Sequence, residues 1–132
     1  MSHKVLIIDD EWMIARALSA RLGAAGFEMH TASDGFSGIE AARKLLPDAI
    51  LLDLRMPDID GFEVLRRMRL EPSLGIIPVI ILTANVQDTV RQEARVLGTA
   101  GFFCKPYDPE LLIACLKRAI SRKSVLSYGE SS

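Results

Sequence analysis

The chain is predicted to fold as an α/β protein, a doubly wound sheet of five parallel strands with helices on both faces, and three observations predict this. Five short apolar runs recur, at Lys4–Ile8, Glu28–Ala32, Ala49–Leu52, Val79–Leu82 and Gly101–Cys104. Each is followed by a longer stretch of helical period, and such alternation favours parallel strands joined by right-handed crossovers. Runs such as Ala49–Leu52 and Val79–Leu82 are apolar throughout, as strands buried on both sides must be.

Five helices follow in order. The first shows Ile14, Leu18 and Leu22 at i, i+4 and i+8, and stops around Gly23 and Gly26. A second starts near Ser33 or Asp34, either of which can cap it, and ends before Pro47. The third follows Gly61, with Phe62, Leu65 and Met68 on one face and Arg66, Arg67 and Arg69 towards solvent. A fourth carries Val86, Val90, Ala94 and Leu97 and stops at Gly98. The last opens at Asp108-Pro109, a cap followed by a first-turn proline, and runs through Leu112, Cys115, Leu116 and Ala119. This unit is expected to span 1–122, with 123–132 a polar tail or the start of a linker.

Composition narrows the function classes. The 132 residues suit one domain, and 49 % apolar with 25 % charged residues excludes bulk disorder. A formal net charge of −1 is no nucleic-acid footprint. The short basic runs Arg66-Arg67-x-Arg69 and Lys117, Arg118, Arg122, Lys123 read as solvated helix faces. Cys104 and Cys115 sit in apolar stretches and read as small hydrophobes, with no Cys/His cluster for zinc. Ile76–Leu82 is the longest apolar stretch and too short to cross a bilayer; the start of the chain lacks the apolar core of a secretory signal. A cytoplasmic protein without a membrane segment is expected.

The chemistry gathers where the strands end. Parallel strands share one carboxyl edge, where open α/β sheets bind ligands. Asp9, Asp10 and Glu11 follow the first strand, Asp53 the third, Thr83 the fourth and Lys105 the fifth. Taken singly, each of these is an ordinary cap, turn former or loop residue. Together they are harder to dismiss. Neighbouring carboxylates repel, and a hard cation such as Mg²⁺ removes that cost. A site of metal, lysine, hydroxyl and carboxylate suits a phosphoryl group attacked by a carboxylate oxygen.

These residues carry a resemblance. Val5-Leu6-Ile7-Ile8-Asp9-Asp10-Glu11, Leu52-Asp53-Leu54-Arg55-Met56-Pro57-Asp58-Ile59-Asp60-Gly61, Ile80-Ile81-Leu82-Thr83-Ala84 and Gly101-Phe102-Phe103-Cys104-Lys105-Pro106 together resemble the receiver domain of two-component response regulators. The resemblance implies a flavodoxin-like strand order 2-1-3-4-5. It also implies that Asp53 accepts a phosphoryl group from a phosphohistidine. Asp10, Asp53 and the backbone carbonyl of Arg55 would hold Mg²⁺, with Asp9 acting through water. Lys105 and Thr83 would engage the phosphoryl oxygens, and Phe102 would be the switch aromatic that turns inward with Thr83. The implied partners are a sensor histidine kinase or histidine phosphotransfer protein, and a downstream effector protein or effector domain. A homodimer through the fourth helix, fifth strand and fifth helix is a further implication. Neither nucleic acid nor membrane is expected to bind this domain directly, and it would catalyse only its own phosphorylation and dephosphorylation.

Some residues are particular to this chain. Phe102 lacks the hydroxyl that a tyrosine would offer an output partner. Arg55, two residues past Asp53, is expected to contact the phosphoryl group or the loop acids and alter the phosphate's lifetime. Trp12, directly after the acids, is expected to report Mg²⁺ or a phosphoryl mimic by fluorescence. The chain could be cut from a longer transcription regulator or hybrid kinase. The rival from another class is an aspartyl-phosphate phosphohydrolase, but the haloacid-dehalogenase type requires an acid where Arg55 stands.

Overall fold

The computed structural model describes the backbone of residues 2–130 and the side chains of residues 2–122. The strands are β1 (Lys4–Ile8), β2 (Glu28–Ala32), β3 (Ala49–Asp53), β4 (Val79–Thr83) and β5 (Gly101–Cys104). The helices are α1 (Trp12–Ala24), α2 (Gly35–Leu45), α3 (Gly61–Arg69), α4 (Pro72–Gly75), α5 (Asp88–Val96) and α6 (Pro109–Glu130). All pairings are parallel and the strand order is β2-β1-β3-β4-β5.

Strand side chains alternate between the two faces, and the continuous apolar runs therefore serve two cores at once. Val5, Ile7, Leu51, Ile80 and Leu82 pack with α1 and α6 through Leu18, Leu22, Leu112 and Leu116. Leu6, Ile8, Ile50, Leu52, Val79 and Ile81 face the other way, onto Ile39 of α2, Val64 and Met68 of α3 and Ala94 of α5. The three central strands are buried almost throughout, and only the edge strands β2 and β5 are partly exposed.

The helix ends follow local chemistry. Asp34 caps α2, accepting from the Ser37 amide at 2.8 Å, and Asp60 caps α3, accepting from the Glu63 amide at 2.9 Å. Gly61 opens α3 against the end of β3, where a Cβ would lie 2.6 Å from the Asp53 carbonyl oxygen. Only glycine allows the β3–α3 loop to turn back this closely.

Four readings from the sequence are corrected. The short helix α4 makes the total six rather than five, so the expected fourth and fifth helices are α5 and α6. Ile14 is 38 % exposed and lies outside the core, where Ala15 takes its place. Val86 precedes α5 and is exposed. Arg69 does not face solvent: its guanidinium donates to the Gly75, Ile77, Leu97 and Gly98 carbonyls. In the segment 123–132, given above as a polar tail or the start of a linker, the backbone runs on as α6 to Glu130, and Ser131 and Ser132 lie outside the described residues. Cys104 and Cys115 are free, and only Cys115 is fully buried.

Candidate functional site

Strand register brings the site together. Ile8 pairs with Leu52, so Asp9 and Asp53 emerge from adjacent strands at the same level. Asp53 pairs with Leu82, and Thr83, the next residue of β4, pairs with Cys104, the residue before Lys105. A one-residue slip in any pairing would turn these side chains into the opposite layer.

Asp9, Asp53 and Thr83 are the buried polar residues among those described, at 4 %, 5 % and 4 % exposure. The Lys105 Nζ donates to Asp9 Oδ2 at 3.1 Å and lies 3.6 Å from both Asp53 Oδ2 and Glu11 Oε1. Asp10 is exposed, yet it offers an oxygen to a cluster with Asp9 and Asp53 in which the three ligand atoms lie within 4.8 Å of one another. Asp9 also accepts from the Glu11 amide at 2.9 Å, and Asp53 accepts from the Arg55 amide at 3.3 Å. Thr83 Oγ1 accepts from the Asn85 amide at 3.1 Å.

Burial is the main reason the Asp53 carboxyl is pushed up to about 6. Lys105 and the Arg55 amide pull it down, while Asp9 and Asp10 push it further up. For Lys105 burial is also the largest single influence, and it lowers the ammonium. The hydrogen bond to Asp9 and the charges of Asp53, Asp9 and Glu11 outweigh it, leaving the ammonium raised. The ammonium of Lys105 is thus held in its charged form, among more carboxyl groups than it can neutralise. Three oxygen donors at this spacing, with acid left over, suit one hard divalent cation.

The 132 residues match the response regulator receiver domain family over residues 5–117. The chain belongs to that family. Sporulation initiation phosphotransferase F of Bacillus subtilis is 33 % identical over 124 residues, 94 % of this chain and 98 % of that protein. Chemotaxis protein CheY4 of Vibrio cholerae superposes with a TM-score of 0.84 at 34 % identity, over 90 % of this chain and 99 % of that one. The receiver domain of a sensor histidine kinase from Pseudomonas aeruginosa, solved with a magnesium ion coordinated in its active-site cleft, gives a TM-score of 0.84 at 27 % identity, over 92 % and 99 % of the two chains. Other curated relatives are longer, and this receiver spans 62 % of one and about a quarter of others.

Within the receiver, the expected site residues Asp9, Asp10, Asp53 and Lys105 converge. Thr83 stands at the neighbouring strand end, and Arg55 contributes its amide through a loop whose side chain is exposed. Trp12 is 64 % exposed and lines a groove of about 710 Å³ that also touches Asp9. Phe102 is half-buried on the opposite face of β5 from Phe103, packed against the α2–α5 core.

Three contacts were missed from the sequence. The Arg91 guanidinium sits 4.9 Å over the Phe102 ring, a stacking of α5 on β5 that ten intervening residues hide. Asp58 accepts from the Gly35 and Phe36 amides at 2.8 Å each and so ties the β3–α3 loop to the start of α2. Its carboxyl falls to about 2: its small burial raises it, and the backbone amides of Phe36 and Gly35 outweigh that. An aspartate in Pro57-Asp58-Ile59-Asp60-Gly61 does signal a turn, though nothing local names its partner. Asn85 also accepts from the Gln87 amide, continuing from Thr83 a chain of side-chain turns.

Proposed function

We propose that Asp53 is the phosphoacceptor, taking a phosphoryl group from a phosphohistidine of a sensor kinase or phosphotransfer protein. A carboxylate oxygen of Asp53 forms the new O–P bond as the N–P bond breaks, and the imidazole leaves with the bonding pair and is protonated. The observation that carries this reading is the single ammonium of Lys105 held on both Asp9 and Asp53 beside a third carboxylate. Incoming phosphoryl oxygens would take over part of that ammonium, a charge-assisted contact that costs little to rearrange.

Asp10, Asp53 and the Arg55 carbonyl would hold Mg²⁺, with Asp9 behind them. When bound, the ion neutralises charge on the acids and on the transferring oxygens. The magnesium-bound receiver from Pseudomonas aeruginosa supports this reading. Thr83 would release the Asn85 amide to donate its hydroxyl to a phosphoryl oxygen. The added charge of about −1.5 to −2 rewards that move. Phe102 would follow Thr83 and alter the surface of α5, β5 and α6, the face on which an effector or a second copy would dock. Arg55 would tune the lifetime of the phosphate.

The receiver unit would occupy 1–122, with 123–132 a polar tail or the start of a linker, and its role is signalling rather than turnover of a metabolite. No described helix is long and apolar enough to cross a membrane. The test is incubation with a small phosphodonor and Mg²⁺, read by intact mass. One added phosphoryl group on the parent and none on Asp53→Asn is the expected result. Equal labelling of both proteins would refute Asp53 as acceptor.

A further inference from the structure

A second concave site lies at the opposite edge of the sheet. A groove of about 580 Å³ runs between the end of α3, the segments entering β4 and β5, and the outer turns of α6. That volume falls in the roughly 300–1,000 Å³ of small-molecule sites. Three arginines line it, Arg69, Arg118 and Arg122, and among the described residues no acidic one does.

Arg69 is the anchor. It is only partly exposed, and it donates to the Gly75, Ile77, Leu97 and Gly98 carbonyls at 3.0–3.4 Å. Guanidinium has five N–H groups, so this arrangement leaves one unused and holds the group rigid. Carbonyl dipoles satisfy its hydrogens without cancelling its charge. Burial accordingly draws the Arg69 guanidinium down from its ordinary value.

Among the described residues, the ion pairs of arginine involve Arg21, Arg43, Arg66 and Arg67, and none involves Arg69, Arg118 or Arg122. Arg118 and Arg122 are one helical turn apart, about 6 Å along the axis, close enough to hold one multiply charged group between them. The remaining wall is apolar, through Pro78, Leu97 and the 67 %-exposed Ile76.

We propose that this groove binds a small organic phosphate, with its dianionic head held by Arg118 and Arg122 beside the one N–H that Arg69 leaves unused, and a flat or aliphatic body against Ile76 and Pro78. One guanidinium fork already satisfies a single carboxylate, whereas two forks one turn apart suit a phosphate, with its three oxygens and two charges. The site is separate from the acids around Asp53, which lie at the opposite, carboxyl edge of the sheet.

The probes are AMP, adenosine, inorganic phosphate and a hexaglutamate peptide, added to the full chain in EDTA at low salt and followed by amide chemical shifts. AMP is expected to move the Gly98, Ala100 and Arg118 amides saturably, while adenosine does not. The double variant Arg118→Gln, Arg122→Gln, which leaves the Arg69 anchor intact, is expected to bind AMP about tenfold or more weakly. The proposal is overturned by any of three results: no saturable AMP shift, shifts confined to Asp9, Asp53 and Lys105, or equal AMP affinity in the double variant. Inorganic phosphate binding as tightly as AMP would remove the organic body from the proposal, and tighter binding of hexaglutamate would replace the small molecule by an acidic peptide.

Discussion

The two ends of the sheet each bury charge, and they solve the problem in different ways. At the carboxyl end, Asp9 and Asp53 share the ammonium of Lys105, and every partner is itself charged and titratable. At the amino end, Arg69 has only neutral carbonyls around it. Charges balanced by charges can be redistributed when a new anion or cation arrives, because each member has an alternative partner. A charge held by backbone dipoles cannot move without breaking the chain's own turns. The first arrangement suits a site that changes state; the second pins the entries of β4 and β5 in place.

The sharpest way to break this contrast is to remove the cation from each end. Lys105→Met should slow phosphoryl uptake by about 10²–10³-fold, the usual cost of losing one preorganised electrostatic contact. It should also push the Asp53 carboxyl above its present value near 6, since Lys105 is what holds it down. Stopped-flow labelling with a small phosphodonor measures the first effect. An unchanged rate would mean that Lys105 serves packing alone.

Arg69→Met should act on stability instead. Four carbonyls lose their donor, which at a net ~0.5–1.5 kcal/mol per bond comes to about 2–3 kcal/mol after partial rehydration. Urea unfolding checks it, and a loss under about 0.5 kcal/mol would show those carbonyls to be solvated already.

Two aspartates five residues apart sharpen the comparison through pH. The Asp53 carboxyl is raised from 3.8 to about 6, so between those values the native state keeps a proton that the unfolded chain has lost. Metal-free stability should therefore fall as pH rises across that window. The Asp58 carboxyl is lowered from 3.8 to about 2, so its contribution is present above 3.8 and disappears as pH falls towards 2. Unfolding midpoints in EDTA across pH should show both limbs, with Asp53→Asn flattening the upper and Asp58→Asn the lower.

The smallest expected effect is at the switch aromatic. Arg91→Ala removes the guanidinium from the Phe102 ring and should cost about 0.5–1 kcal/mol, as exposed cation–π contacts do. It should also broaden the Phe102 ring signals in NMR spectra. Sharp, unshifted signals would show that the ring is held by the core alone.

Much of the molecule was legible without coordinates. The three central strands were found almost to the residue because a strand buried on both faces needs an unbroken apolar run, and few other elements do; that reason does not extend to the partly exposed edge strands β2 and β5. Asp9, Asp53, Thr83 and Lys105 were recognisable because each follows such a run, and parallel strands deliver their ends to one edge. Helix faces were read less well. Ile14 fits the helical period as well as Ala15 does, and period alone does not say which way α1 rolls onto the sheet.

By itself, then, the order of residues determined the alternation, the strands and which residues reach the acidic edge, since these rest on local periodicity and on the common direction of parallel strands; the family likeness rested on four motifs in order. Only the tertiary structure decided which charge meets which: that Lys105 donates to Asp9 rather than to Asp53, that Asp58 clamps α2, that Arg91 covers Phe102, and that Arg69 turns inward to four carbonyls. Those contacts join residues brought together by crossovers, and a crossover's landing angle is set by packing over the whole sheet, where no local pattern records it.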